Sequence, residues 1–215
     1  MAHILIIGAG GHALVVADVL LRMRAAGEDV IPIGYLDDNP ALAGRALLGL
    51  PVLGGIASLP AIAHDAVIVA IGDNRTRARL FTTLVSQGEH LAVARHPSAV
   101  IAPDVVIGPG TMICAGAIVN PASVIGANVI LNTACSADHH NQIGDHVHLA
   151  PGVHLGGAVT IGEGALVGIG ATVMPGRTVG AWSVVGAGSL VHRDVPPEVT
   201  AVGAPARIMR RKVAL

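Results

Sequence analysis

From Ile101 to Val191 the chain returns to an aliphatic side chain at every sixth position, without an insertion. Fifteen of these sixteen positions hold Ile, Leu or Val, and the exception is Ala137. The position after the aliphatic is most often glycine, and the fifth is mostly small or β-branched. Such hexads predict a parallel β-helix, in which short flat strands turn one aliphatic inward per side and small residues fit the tight corners. Three hexads close a triangular coil, so sixteen make a little over five coils, a prism roughly 25 Å tall at the usual strand spacing.

Residues 1 to about 97 follow a different pattern. HILIIG reads as a short buried strand, and HALVVADVLLRMRAAG has helical spacing with Gly27 as its stop. VIPIGYLDD and AVIVAIG read as further strands, TRARLFTTLVSQG as a second helix, and a last short strand falls near LAVA. Alternating strands and helices imply a small parallel sheet. The division is therefore an α/β, Rossmann-like half over 1–97, followed by a β-helix with a C-terminal tail over 98–215.

Composition narrows the function. Hydrophobic residues are 52% of the chain but aromatics only 1%, so the core is aliphatic and suits a repeat better than an ordinary globule. A net charge of −1 excludes a sequence-independent grip on nucleic acid. The two cysteines, Cys114 and Cys135, make no disulfide framework. Gly, Asp and Pro interrupt every apolar run before it is long enough to span a membrane, and the N-terminal apolar run lacks a basic leader. A soluble, cytoplasmic protein is expected.

The repeat breaks once, in ADHHNQ (137–142), where the inward aliphatic shrinks to Ala137 and Asn141 replaces the usual small residue. A fold that gives up packing at one place invites a functional reason, and a histidine cluster begins there: His139, His140, His146 and His148. Near the N-terminus, IIGAGGHA matches G-x-G-x-x-[G/A] through Gly8, Gly10 and Ala13, between a strand and a helix. Backbone N–H groups there can approach a phosphate at a helix start. His12 can reach a phosphate or sugar, and Asp37 and Asp38 end the second strand, where a ribose or base could be held. The short stretch ahead of the β-helix leaves room for one mononucleotide half, which favours a single nucleotide diphosphate over a dinucleotide.

IIGAGGHALVVAD, YLDDNP, AIGDNRTR, HPSAVIAPDVVIGPGT, NTACSADHH and GAPARIMR together resemble the left-handed β-helix sugar acetyltransferases related to sialic-acid O-acetyltransferases. Within them the closest branch is the nucleotide-linked 4-amino-sugar N-acetyltransferases of bacillosamine and perosamine type. The resemblance implies a left-handed coil, although the general rule for parallel crossovers favours the opposite hand. It also implies a homotrimer with acetyl-CoA in the groove between prisms, no metal cofactor, and a role in surface-glycan synthesis such as lipopolysaccharide O-antigen.

The family's residues carry over by position. Gly10, Gly11 and His12 would hold the pyrophosphate, with Asp37, Asp38, Gly72, Asn74 and Arg75 around the nucleoside and sugar. His139 stands at the catalytic histidine, as base or orienting group for the amine, with Asn132 as a nearby support. The resemblance leads one to expect an acidic residue next, and His140 stands there instead; Asp138 could substitute if the chain turns at this site. His148 falls at a second histidine near the thioester end of CoA. Gly157, Ile169 and Ala187 are expected on one side of the prism, lining the CoA groove. Gly203, Ala204, Pro205 and Ala206 would border pantetheine, with Arg207, Arg210, Arg211 and Lys212 available to phosphates.

Three alternatives stand beside this reading. A sialic-acid-type O-acetyltransferase lies within the same class. A dinucleotide-dependent oxidoreductase would rest on the glycine loop alone. A zinc-dependent hydratase of γ-carbonic-anhydrase type would use three of the histidines.

Overall fold

The computed structural model describes residues 1–211, so Lys212 lies outside the described residues, as do the side chains of Arg210 and Arg211. The chain forms two compact units, one over Met1–Pro97 and the other from Ser98 onward.

The first unit is built on β1 (Ala2–Ile7), α1 (Gly11–Ala25), β2 (Val30–Leu36), β3 (Ala46–Leu47), β4 (Leu50–Gly54), β5 (Ala66–Val69) and α2 (Asn74–Ser86). The sheet order is β3-β4-β2-β1-β5, parallel except for the β3–β4 hairpin. Its central strands are continuous apolar runs, as a parallel sheet covered on both faces requires. Leu5, Ile7, Leu36, Val67, Val69 and Leu84 are buried in one cluster on one side of it. Leu91, in the expected last strand, bridges to Val67, and a separate short strand follows at Ala94–Arg95.

The hairpin adds two strands, β3 and β4, that the sequence pattern does not predict. Its segment, ALLGLPVLG, carries a proline and glycines that read as loop. Pro51 is tolerated because it stands before the first pair of β4 with β2, Val52 with Tyr35, so its missing N–H leaves no gap in that ladder. Tyr35, fully buried, ties the hairpin down by donating its hydroxyl to the carbonyl of Leu47 at 3.2 Å.

The second unit is a triangular parallel β-helix of very short strands. Face one carries six strands, from Val100–Ile101 to Leu190–Val191, and face two five, from Val106–Ile107 to Thr178–Val179. Face three runs from Met112–Ile113 to Val184–Val185, then continues through Val199–Val202 and the antiparallel Arg207–Arg211. Each strand pairs with the one three hexads further on, Ile118 with Ser136 and Ser136 with His154 for example.

Each hexad turns two side chains inward, the aliphatic and the fifth residue; Ile125 and Val129 are buried, and so are Leu131 and Cys135. Between them the chain reverses through a left-handed residue, which recurs once per hexad along most of the prism from Gly110 to Gly188. Glycine serves this position where it can, but His140 (φ +59°), His146 (φ +60°) and Trp182 (φ +56°) also occupy it.

Candidate active site

In the first unit, the loop after β1 is held by the end of β2. Asp37 accepts from the Ala9 N–H at 2.7 Å and from the nearby Asn39 N–H at 2.8 Å. Asp38 accepts from the Ile56 N–H at 2.8 Å. The N–H groups of Gly10 and Gly11 open α1 without an acceptor among the described residues, and an added Cβ on either would meet nothing within 4 Å. That is the geometry of an anion site at a helix start.

A cleft of about 470 Å³ lies beside this loop. Asp37 and Asp38 border it, Ile56, Ile71 and Leu80 supply apolar walls, and Thr76, Arg79 and Thr83 project from α2. Of the residues expected from sequence around the nucleotide, only the two aspartates line it. Gly72 and Asn74 serve another residue, Arg77, which sequence reasoning passes over. Arg77 is 1% exposed and donates through Nη1 to Asn74 Oδ1 at 2.9 Å, Ile71 O at 3.2 Å and Gly72 O at 3.3 Å. Burial pushes its guanidinium down to about 10. Burial, reinforced by the Arg77 charge, pushes His12 down to about 4, so His12 is neutral at physiological pH. Arg75 is exposed and does not border the cleft; Arg79, one helical turn further, does. The signal that could have found the cleft is helical spacing: Thr76, Arg79, Leu80 and Thr83 form an i, i+3, i+4, i+7 stripe.

In the second unit, His139 and His140 sit in the turn between faces one and two. Their rings meet edge to face, with centroids 5.1 Å apart and planes at 85°, and their Nδ1 atoms are 3.0 Å apart. The chain does turn here, yet Asp138 bonds to neither imidazole. Its Oδ1 accepts from the Asn120 side-chain amide at 2.9 Å and from the His139 N–H at 2.8 Å, and these two bonds, in that order, hold its carboxyl below the usual range. Asp138 shapes the turn rather than the ring.

Two further residues seat the histidine. A Cβ on Gly157, one coil on, would stand 2.7 Å from Nε2 and 3.0 Å from Nδ1 of His139, so the imidazole lies where any side chain at 157 would be. The Gly157 N–H has no acceptor among the described residues. Asn141, fully buried at the hexad's fifth position, donates to the carbonyls of Asp138 and, at 3.1 Å, Gly156, and accepts from the Val159 N–H at 3.0 Å. Ser123 donates to the same Asp138 carbonyl at 3.1 Å. One amide thus fixes the peptide before His139 and the peptide before Gly157. The break in the repeat has its reason in that bracket.

The remaining expected site residues fall on a different edge. Asn132 lies in the turn between faces three and one; its side-chain nitrogen is 3.1 Å from His148 Nε2, and its oxygen accepts from the Thr133 N–H at 2.8 Å. It therefore supports His148 and not His139. Ile169, 61% exposed, and Ala187 share that edge, and the Gly203–Ala206 turn joins it by hydrogen bonds to Leu190 on face one, 3.0 Å from its N–H and 2.8 Å to its carbonyl. Arg207 is exposed there. Gly157 does not share this side. It stands two hexads before Ile169, two-thirds of a coil, and belongs to the His139 edge.

The other histidines disperse as well. His146 approaches Asn128 at 2.8 Å on the edge between faces two and three, and His154 approaches Ser136 at 2.8 Å on face one. Among the described residues no three His, Cys, Asp or Glu side chains converge as a metal site.

Comparison with known proteins bears on the same two units. Residues 3–84 match the PglD N-terminal domain family, and 158–193 match the bacterial transferase hexapeptide repeat. A variant of perosamine N-acetyltransferase from Caulobacter crescentus, solved with CoA and GDP-perosamine, is 42% identical, with 98% of each chain covered and a TM-score of 0.90. The chain belongs to the left-handed β-helix sugar acetyltransferases. It is an acetyltransferase by that membership. The acetyltransferase domain of PglB from Neisseria gonorrhoeae, solved with acetyl coenzyme A, is 35% identical over 97% of this chain and 99% of that one, with a TM-score of 0.89. WeeI from Acinetobacter baumannii is 29% identical over 97% and 100%, with a TM-score of 0.86. The curated protein sequences compared contain no match. Among the described residues no helix is long and apolar enough to cross a membrane.

Proposed function

We propose that this acetyltransferase moves an acetyl group from acetyl-CoA to the 4-amino group of a UDP- or GDP-linked 4-amino-4,6-dideoxy sugar, with GDP-perosamine the first acceptor to test. The observation that carries the reading is 42% identity, over 98% of both chains, to an enzyme solved with CoA and GDP-perosamine.

The first unit binds the nucleotide. The open N–H groups of Gly10 and Gly11 take the diphosphate, and the cleft between Asp37–Asp38 and the α2 stripe takes the nucleoside. In the second unit the neutral amine attacks the thioester carbonyl, forming the C–N bond. His139 Nε2 takes the proton the nitrogen must lose, and the unclaimed Gly157 N–H faces the oxygen that gains charge. The C–S bond then breaks, and the proton on His139 passes to the departing thiolate.

Site residues on two edges of one triangular prism support a homotrimer. A face spans one hexad, at most about 20 Å of extended chain, so the His139 edge of one copy and the Asn132–Ile169–Ala187 edge of another would together line each CoA groove. Catalysis between soluble substrates fits a cytoplasmic enzyme supplying surface-glycan synthesis.

The test is release of CoA thiol from acetyl-CoA with a panel of UDP-, GDP- and dTDP-linked 4-amino sugars. Turnover on one nucleotide class, reduced about 10²-fold or more by His139→Asn, is expected. Absence of thiol release with every amino sugar would overturn the reading.

A further inference from the structure

The Nδ1 atoms of His139 and His140 are 3.0 Å apart. Two bare lone pairs at that distance repel, and two N–H groups would drive their hydrogens together, so one proton lies between the rings. Which ring owns it decides what His139 can do. With the proton on His139 Nδ1, its Nε2 carries a lone pair and can accept. With the proton on His140, a neutral His139 carries its hydrogen on Nε2 and can only donate there.

No other side chain among the described residues at this corner competes for either Nδ1. Asp138 is committed to the Asn120 amide and the His139 backbone. The coils on either side bring Pro121, Ala122, Gly157 and Ala158, none of which has a side chain able to hydrogen-bond a ring. The fold meanwhile holds His140 firmly: its φ is +59°, and its N–H donates to the Pro121 carbonyl at 3.0 Å. His139, with its ring over Gly157 and its Nδ1 directed at His140, has only Nε2 left for a substrate.

We propose that His140 is a positioning residue that accepts the Nδ1 proton of His139 and so fixes the tautomer in which Nε2 is the free base. The role rests on the acetyl-transfer reading above, but the tautomer can be measured without substrate. His140 itself carries its hydrogen on Nε2, toward solvent.

The substitutions that separate this from a structural role are His140→Asn and His140→Ala. Asparagine tolerates the left-handed backbone, and its Oδ1 falls close to where the imidazole Nδ1 stood, so it keeps an acceptor in place. Alanine also occupies this turn position elsewhere in the repeat, at Ala122, Ala134 and Ala158, so the fold accommodates it. Long-range nitrogen–proton correlation spectra of the full chain should show His139 as the Nδ1–H tautomer in the wild type and in His140→Asn, and largely as Nε2–H in His140→Ala. The alanine variant should lose about tenfold in kcat at unchanged KM, and the asparagine variant should stay within about threefold. An Nε2–H tautomer in the wild type, or full kcat in His140→Ala, overturns the proposal. The expected tautomers without thiol release on any amino sugar would leave His140's role standing and remove the acceptor assignment instead.

Discussion

The glycine loop of the first unit and the His139 corner of the second hold their chemistry by opposite means. The first buries its control. Arg77 is buried and His12 half-buried, and what the loop offers a ligand is bare backbone N–H. The second buries neutral brackets, Asn141 and Ser123, and leaves its two imidazoles exposed at the corner. The neighbouring strand-to-helix turn, from β5 into α2, has no copy of itself to lean on, so the long side chain of Arg77 reaches back and pins the carbonyls of Ile71 and Gly72. A coil in a β-helix has a coil above and below, so small side chains suffice and the reactive groups can stand outside. In one unit, then, perturbing a charge should cost stability. In the other, perturbing a small residue should cost catalysis.

The sharpest test of the first half is Arg77→Leu. The change removes the donor of three bonds, to Asn74 Oδ1 and to the carbonyls of Ile71 and Gly72. Hydrogen bonds from a charged group are each worth about 1.5–3 kcal/mol, so removing three should cost the first unit at least about 4.5 kcal/mol. Hydrogen exchange read by mass spectrometry on the full chain should show protection falling across residues 1–97 and holding across 98–211. Equal loss in both would break the contrast.

Gly157→Ala tests the second half. The methyl would enter the space of the His139 ring, 2.7 Å from Nε2. The ring can swing outward, so stability should change little. Displacing a catalytic group by an ångström costs about 10²-fold in rate, equivalent to about 2.7 kcal/mol on the barrier. Steady-state kinetics should show the loss in kcat with CoA affinity retained. A fully active alanine variant would mean that the ring is not held there.

These contrasts also mark what the sequence could and could not reveal. The hexad phase was legible because each inward position meets its neighbours exactly one coil away, so one rule repeats. The glycine loop was legible because strand, turn and helix follow one another directly. The face a residue occupies was harder. HHNQIGDHVH looks like a single cluster, but a short step along a hexad carries a side chain around a corner of the prism. His139, His146 and His148 end on different edges and faces with different partners. The same geometry puts Gly157 on a different edge from the one expected of it. In the first unit, Arg77 escapes notice because an arginine just past a GDN turn reads as solvated helix surface. Only the folded structure shows that it is buried and points back onto the carbonyls of that turn.

The smallest effect, but the one that follows most directly from a titrating group, is the response of the first unit to acid. Burial, then the neighbouring Arg77 charge, lowers His12 from 6.5 to about 4. Above pH 6.5 the ring is neutral whether the chain is folded or not, so the contribution to stability is complete. As the pH falls below 6.5 the unfolded chain binds a proton that the folded chain refuses, and stability drops until about pH 4, where the folded ring titrates too. At pH 5 the loss is about 2 kcal/mol, from roughly 1.5 pH units at about 1.36 kcal/mol each. The difference in exchange protection over residues 1–97 between wild type and His12→Gln should fall by that amount between pH 7.5 and 5, after correction for intrinsic exchange rates. Taking the difference cancels His64, which burial lowers but its bonds to the Ile62 carbonyl and Glu89 raise overall, so that it pulls the other way. In the second unit the groups that burial displaces most are Cys114 and Cys135, pushed up to about 12 and therefore uncharged throughout that interval. The described β-helix should hold its protection over the same range, and a matching acid loss there would show that burying a charge is not what distinguishes the two units.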